Sequence, residues 1–416
     1  MRELRIAVLG NVDAGKSSLT GVLTKNILDD GRGYARSLVT QYRHEKSTGK
    51  TSSVTQNYVK EDGNVVIYID LAGHEKYLKT TLHGLTGYYP DYSMVVIGAN
   101  MGLTDVTKEH MNVAIALNIP FMVVITKIDI APIHVLEKTI ISLEEILQNK
   151  IKHKTVIHMN ESNIDSLTQL RKYIPIFQVS NKEGTNIDLL KRHIQNVHKF
   201  YVEHSQLNIF HLQDDLKNCN IFSIDRSYQV NGVGTVLAGK VCNGIFKKND
   251  NVYLGPFHGV WYPVIVRSFH DNFQQSMDKL ENGQSGCIAI KNISSNNRSL
   301  DLKKLIYRKN VYLMSGEECK KYTSFEFVAD VIIMHTHSVT ISKDYQPIIN
   351  CNKIVQCAKI VEIEEKTHIR AGDKCRIRFR FMYRPEFIQE NDKFIFREGQ
   401  TRGIGIIKAV EYNKTS

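Results

Sequence analysis

The seven cysteines of this 416-residue chain all follow position 218, and none forms a C-x-x-C pair. That distribution excludes a zinc ribbon and a disulfide framework, and it fits a reducing compartment. No apolar run approaches the ~20 residues that a membrane-spanning helix needs, so no membrane partner is expected. Met1-Arg-Glu-Leu-Arg5 leads straight into an apolar run, so no signal peptide is expected and the expected location is cytoplasmic. Low-complexity tracts and clear internal repeats are also lacking. With 42% hydrophobic and 23% charged residues, the chain has the composition of a globular protein. Its length calls for two or three domains.

Acidic charge is in deficit. Fifty-four Lys and Arg stand against 43 Asp and Glu, a formal charge of +11. Such an excess favours polyanionic partners, RNA first among them.

The first ~200 residues alternate short apolar runs with helical patterns, as a mostly parallel sheet with crossover helices requires. Ile6–Leu9, Val65–Ile69, Ser93–Ile97, Phe121–Ile125 and Ile176–Val179 read as buried strands. Glu109–Leu117, Val135–Leu147 and Ile187–Phe200 carry helical spacing. A polar connector follows, roughly Tyr201–Asn220. Beyond it, glycine-punctuated short strands predict small antiparallel barrels, with a seam near Ser315–Lys321.

Four motifs carry chemistry. Gly10-Asn11-Val12-Asp13-Ala14-Gly15-Lys16-Ser17, with Ser18 next, is a full G-x-x-x-x-G-K-S between a predicted strand and a helical segment. Its glycines let the backbone wrap phosphates, Lys16 reaches the β- and γ-phosphates, and the Ser17 hydroxyl ligates Mg²⁺. Thr126-Lys127-Ile128-Asp129 ends another strand. Asp129 there can accept from the ring N–H and the exocyclic amine of guanine, a donor pair that adenine lacks. The Lys127 stem can cover the base. Ser180-Asn181-Lys182 closes a further strand and can offer backbone N–H groups to the guanine oxygen. Asp70-Leu-Ala-Gly73-His74-Glu75 follows the Val65–Ile69 strand. Asp70 can hold Mg²⁺ through a water, Gly73 can swing its N–H onto a γ-phosphate, and His74 can orient the attacking water. The plain alternative for His74 is a surface histidine at a loop tip.

With these motifs in this order, the chain resembles the translational GTPases, in the elongation-factor-like branch whose D-x-x-G is followed by histidine. Tyr228–Val236 with Gly239 is similar to the opening of that family's second domain. Phe394–Gly399 with Thr401-Arg402-Gly403 and Gly405 is similar to the closing hairpin of its third. Within the branch, the runs Gly10–Ser17, Gly31–Arg36, Lys50–Val54 and Asp70–Thr81 most closely resemble the GTP-binding protein 1 and 2 group. The resemblance implies an α/β P-loop GTPase domain over residues 1–200, followed by two small antiparallel β-barrels over 206–315 and 320–416. It implies GTP and GDP as ligands with Mg²⁺, a monomer, and transfer RNA and the ribosome as partners. A GTP-timed adaptor in RNA decay or ribosome quality control, with no aminoacyl-tRNA delivered, is the alternative. The resemblance further implies that Thr51 supplies Mg²⁺ from the first switch, with Ser52 and Ser53 near enough to compete for the register. Asp13 matches an aspartate that helps hold a monovalent cation near the phosphates. Its other reading is a turn aspartate of N-cap type. Two departures stand out: Thr126 replaces the more usual asparagine, and Lys50 replaces the second apolar gate residue whose partner is Val12.

Lys374-Cys-Arg-Ile-Arg-Phe-Arg-Phe381 alternates strictly, placing Lys374, Arg376, Arg378 and Arg380 on one strand face. Such a row suits a polyanion, or else it is a solvated face balanced by neighbouring acids such as Glu362, Glu364 and Glu365. The family resemblance tips the choice towards RNA. His335, His337 and the remaining histidines show no metal-ligand spacing.

Overall fold

Apolar runs that read as buried strands form the spine of the first half. A computed structural model describes residues 3–40, 45, 51–61, 63–165, 172–203, 214–293, 310–317, 321–334, 340–398 and 400–412. His335 and His337 lie outside these. The chain divides into two units, Met1–Leu85 with Tyr89–Leu207, and Thr86–Tyr88 with Asn208–Ser416.

In the first unit, β1 (Glu3–Gly10), β2 (Thr55–Glu61), β3 (Asn64–Asp70), β4 (Tyr92–Gly98), β5 (Phe121–Thr126), β6 (Thr155–His158) and β7 (Tyr173–Gln178) make one sheet in the order β2-β3-β1-β4-β5-β7-β6. All pairings are parallel except that of β2, which runs antiparallel along β3. β1, β4 and β5 are buried from end to end, which explains why they are continuous apolar runs with no alternation. The helices are α1 (Lys16–Lys25), α2 (Tyr34–Ser37), α3 (Leu78–Gly87), α4 (Asp105–Ala116), α5 (Ile133–Lys150) and α6 (Ile187–Glu203). The last three match the helical patterns of the sequence to within a few residues: α4 begins four residues earlier and ends one short, α5 runs further at both ends, and α6 runs further at its carboxyl end. α3 gave no such pattern, because its ten residues include two glycines and three threonines. Burial of Leu78, Leu82 and Leu85, at i, i+4 and i+7, supplies what propensity does not.

In the second unit the strand Asn251–Phe257 pairs with Tyr312–Met314, and the order continues through Ile221–Val230, Gly234–Asn243, Ser285–Asn292 and Val260–His270. Val260–His270 pairs back onto Asn251–Phe257 and closes a six-stranded barrel. A second closed barrel follows, formed by Glu326–Ile333, Lys374–Phe381, Ile354–Ile363, Ile348–Cys351, Lys393–Glu398 and Gln400–Glu411. Its core stacks Phe327, Phe379, Phe381, Phe394 and Phe396. The two barrels share buried polar contacts. Lys353 and Asp225 pair at 2.5 Å with side chains only 5% and 7% exposed. Glu386, 1% exposed, accepts from Asn310 and from Gln356.

The cationic row corrects one expectation. Alternation holds, since Ile377, Phe379 and Phe381 are buried, but the charges are spent within the barrel. Arg376 pairs with Asp330 at 2.7 Å, Arg378 with Glu411, and Arg380 with Glu326. Glu362 lies 3.7 Å from Arg378. Glu326 and Asp330 stand directly across from Arg380 and Arg376 in the register, and hydrogen bonding to Arg376 holds Asp330 below the usual carboxylate range. The three arginines are therefore balanced by acids, mostly from strands other than Ile354–Ile363, as the solvated-face reading expects. No helix among the described residues is long and apolar enough to cross a membrane.

His193 of α6 lies 1% exposed in the first unit's core. Its ring sits 5.2 Å from that of Phe177 and 6.2 Å from that of Tyr92, and neither ring nitrogen has a hydrogen-bond partner. Burial lowers its pKa to about 4, so on acidification the unfolded chain takes up the proton first. The stability this neutral ring permits is present above about pH 6.5 and is lost as pH falls towards 4. His193→Phe should retain on the order of 2 kcal/mol that the parent loses between pH 7 and pH 4.5. Urea unfolding of this unit at both pH values checks it, and equal losses in both proteins refute it.

Candidate nucleotide site

Parallel strands bring their carboxyl ends to one edge, and the motifs sit there. Val8 aligns with Asp70, Gly10 with Val96, and Gly98 with Thr126. This is where open α/β sheets place ligands.

The G-x-x-x-x-G-K-S loop leaves β1 at Gly10 with φ +136, and a Cβ there would lie 2.1 Å from the Val96 carbonyl oxygen. Only glycine fits both the conformation and the space. The Gly10 N–H donates to His110 Nδ1 at 3.3 Å, which makes this buried α4 histidine a neutral acceptor, and burial lowers its pKa to about 3. Asn11, Val12 and Ser18 are half-buried and Ala14 is buried, while Asp13 is exposed at φ +58. Gly15 is the N-cap of α1, and Asp13 lies in the turn that precedes it.

Lys16 and Ser17, the first residues of α1, are 6% and 8% exposed. Lys16 Nζ donates to the Asn11 carbonyl at 2.7 Å. Burial lowers its pKa to about 8, against the pull of Asp70 and Asp13. Ser17 Oγ donates to Asp70 Oδ2 at 2.6 Å and lies 3.1 Å from Thr51 Oγ1. Asp70 is 2% exposed; burial raises its carboxyl pKa, although Lys16 and the Ser17 hydroxyl oppose this. Its Oδ1 is buried with no hydrogen-bond partner. One carboxylate and two hydroxyls, with a buried oxygen left over, are a donor set for Mg²⁺, which takes few protein ligands and completes its shell with water and phosphate. Among the described residues no group of three or more His, Cys, Asp and Glu could hold a metal. The hydroxyls of Ser52 and Ser53 both donate to Glu45. Gly49 and Lys50 lie outside the described residues.

Gly73 meets the P-loop directly. A Cβ on it would sit 2.2 Å from Lys16 Nζ and 2.7 Å from the Gly10 carbonyl oxygen. Next to it, His74 is half-buried, and its Nδ1 accepts from the Lys76 N–H at 3.1 Å. In the neutral ring that hydrogen bond assigns the proton to Nε2.

At the other end, Thr126 Oγ1 donates to the Ala14 carbonyl at 2.6 Å and is fully buried. The threonine thus ties β5 to the P-loop. Gly15 packs between Thr126 and Asn181, with a Cβ position 3.3 Å from Thr126 Oγ1 and 3.4 Å from Asn181 Nδ2. Lys127 has φ +60 and opens the turn that carries Asp129, which is half-buried. Ser180 is buried, and its Oγ accepts from the Glu183 N–H at 3.0 Å. Asn181 is 8% exposed, with Oδ1 buried and without a partner, and its carbonyl accepts from the Asp29 N–H at 2.9 Å. Lys182 is exposed and its stem lies over Gly31. Glu45, His110 and the side chain of Asn181 were not among the residues singled out in the sequence. No spacing marks a lone glutamate or a core histidine, so no sequence signal would have found the first two.

A P-loop, a D-x-x-G glycine and a T-K-x-D turn gathered at the end of a parallel sheet define a guanine-nucleotide-binding protein. Residues 1–203 match the family model for the elongation factor Tu GTP binding domain. The chain is 35% identical to GTP-binding protein 1 of Xenopus laevis, over 97% of its own length and 63% of that protein's. It is 31% identical to human GTP-binding protein 2, over 98% of its own length and 69% of that protein's. It therefore spans about two thirds of the length of these relatives. Translation elongation factor SelB from Methanococcus maripaludis, in complex with the GTP analogue GPPNHP, has the same fold at TM-score 0.70 and 20% identity, covering 99% of this chain and 80% of that one. The chain belongs to the translational GTPase superfamily, in the group of GTP-binding proteins 1 and 2.

Thr126→Val keeps the volume but leaves the Ala14 carbonyl buried without its donor. Guanine-nucleotide affinity should fall about tenfold with the circular dichroism spectrum unchanged, as measured with a fluorescent GDP analogue. Unaltered affinity would show that the tie does not shape the P-loop.

Proposed function

We propose that the chain binds GTP with Mg²⁺, hydrolyses it, and uses the change of state to switch its binding to transfer RNA and the ribosome. The observation that carries the reading is the buried cluster of Lys16, Ser17, Asp70 and Thr51, in which three separate stretches of sequence meet. Mg²⁺ held by Ser17, Thr51 and, through water, Asp70 would neutralise charge on the β- and γ-phosphates. Lys16 and the backbone of Gly10–Ser18 hold the phosphates, and the exposed Asp13 carboxylate is available to a monovalent cation beside them. Asp129, with Lys127 and the Ser180–Lys182 loop, selects guanine. With Nδ1 of His74 occupied, Nε2–H is the group left to meet the attacking water, so His74 orients that water and does not take its proton. Descent from a translational GTPase supports a ribosomal partner. The chain works as a cytoplasmic monomer.

The neutralised arginine row favours a second reading. In it the protein is a GTP-timed adaptor in RNA decay or ribosome quality control, delivering no aminoacyl-tRNA.

Single-turnover hydrolysis separates the two. Unassisted GTP turnover should be slow, on the order of 10⁻⁴ to 10⁻² per second, and ribosomes should stimulate it strongly, with ATP inert. His74→Ala should bind nucleotide normally and lose the stimulation. Turnover that ribosomes leave untouched favours the adaptor, and stimulated turnover unchanged in His74→Ala removes this residue from the mechanism. Asp129→Asn should transfer preference from GTP to xanthosine triphosphate, whose ring offers an acceptor where guanine offers an amine. Competition binding tests this, and continued preference for GTP would refute the assignment.

A further inference from the structure

The chain offers three consecutive hydroxyls, Thr51, Ser52 and Ser53, and it is Thr51 that lies against Ser17 while the serine hydroxyls donate to Glu45. The reason lies seven residues upstream. Oε1 of Glu45 accepts from the Ser52 N–H at 2.8 Å, the Ser52 hydroxyl at 3.0 Å, the Ser53 N–H at 3.0 Å and the Ser53 hydroxyl at 2.6 Å. The glutamate is 3% exposed. Burial would raise its pKa, yet these four donors hold it below the usual carboxylate range, so the charged form is the one that binds them.

The geometry beyond the clamp is equally constrained. Val54 is 7% exposed, and Thr55 begins β2 opposite Asp70. Two backbone amides and two hydroxyls are thus held on one side, and the strand pairing fixes the other. A slip of one residue towards the amino end would bring Ser52 to Ser17 and break the bonds to Glu45. The same clamp engages both serine hydroxyls as donors and so holds them at the Glu45 carboxylate.

We infer that Glu45 is a positioning residue that sets the register of the first switch, so that Thr51 and neither serine faces the metal and the γ-phosphate. The inference rests on the GTP–Mg²⁺ reading of the site. It adds a carboxylate that bonds the amides and hydroxyls of Ser52 and Ser53 and bears electrostatically on Asp70. Because the first switch distinguishes the triphosphate from the diphosphate, loosening the register should weaken GTP and spare GDP.

The test is equilibrium binding of fluorescent GTP and GDP analogues to the full chain over a Mg²⁺ titration. Glu45→Gln, which keeps size but offers a neutral acceptor, should lower the GTP-to-GDP affinity ratio about tenfold and raise the Mg²⁺ concentration needed for GTP binding, with GDP affinity unchanged. Thr51→Ala should reproduce the defect. The Ser52→Ala and Ser53→Ala double variant keeps both N–H donors and should show a smaller defect of the same kind, which guards against misfolding of the glutamate variant. A wild-type ratio and Mg²⁺ requirement in Glu45→Gln would overturn the inference, as would equal losses of GTP and GDP, the mark of a merely structural role. If instead the parent protein shows no Mg²⁺-dependent preference for GTP and Thr51→Ala changes nothing, the reading of the site itself falls.

Discussion

Lys16 and Asp70 stand almost without water at the end of a parallel sheet, 6% and 2% exposed. Burial pushes the lysine's pKa down and the aspartate's up, and each charge opposes the shift in the other. A buried pair of this kind contributes little to stability and is costly when one partner is lost. Its place in the molecule makes sense as a site built to exchange lost hydration for an anionic ligand and a cation. The surroundings serve that exchange. Gly10 and Gly73 have no side chain because the Val96 carbonyl and the Lys16 ammonium occupy the space. Ser17 brings its hydroxyl to that carboxylate, and the Thr51 hydroxyl lies against Ser17.

Around this cluster the loops are held by hydrogen bonds from side chains and backbone that cross between separate stretches of chain. Thr126 ties the strand that bears the guanine-reading turn to the P-loop. The Asp29 N–H bonds the Asn181 carbonyl, linking the chain after α1 to the Ser180–Lys182 loop. Glu45 gathers Ser52 and Ser53. The second unit is held differently, by two closed barrels with aromatic cores and a buried Lys353–Asp225 pair between them. Its conspicuous row of arginines is answered by acids on adjacent strands, so that a pattern resembling an interface is a property of the sheet.

The fold class was legible because its two signals are local. Continuous apolar runs such as Phe121–Thr126 mark strands buried on both faces, and glycine-spaced alternation marks barrels. α3 was not legible, since its helix rests on three buried leucines and not on propensity. The antiparallel edge strand β2 and the short β6 were missed for a similar reason. Edge strands are defined by the neighbour they pair with, and Thr55–Glu61 has β3 alone.

The sequence by itself determined the motif residues, their order, and the strand ends that carry them, because a P-loop needs glycine at set positions and guanine needs a carboxylate at one. It left open which hydroxyl among Thr51, Ser52 and Ser53 meets Ser17, and whether the arginines were free. Both were decided by tertiary structure, since both depend on partners elsewhere in the chain. Glu45 claims the serines seven and eight residues on, and Asp330 and Glu326 meet the arginines through strand register about fifty residues away. Spacing along a chain reports what a residue can do; only packing reports which other group has already engaged it.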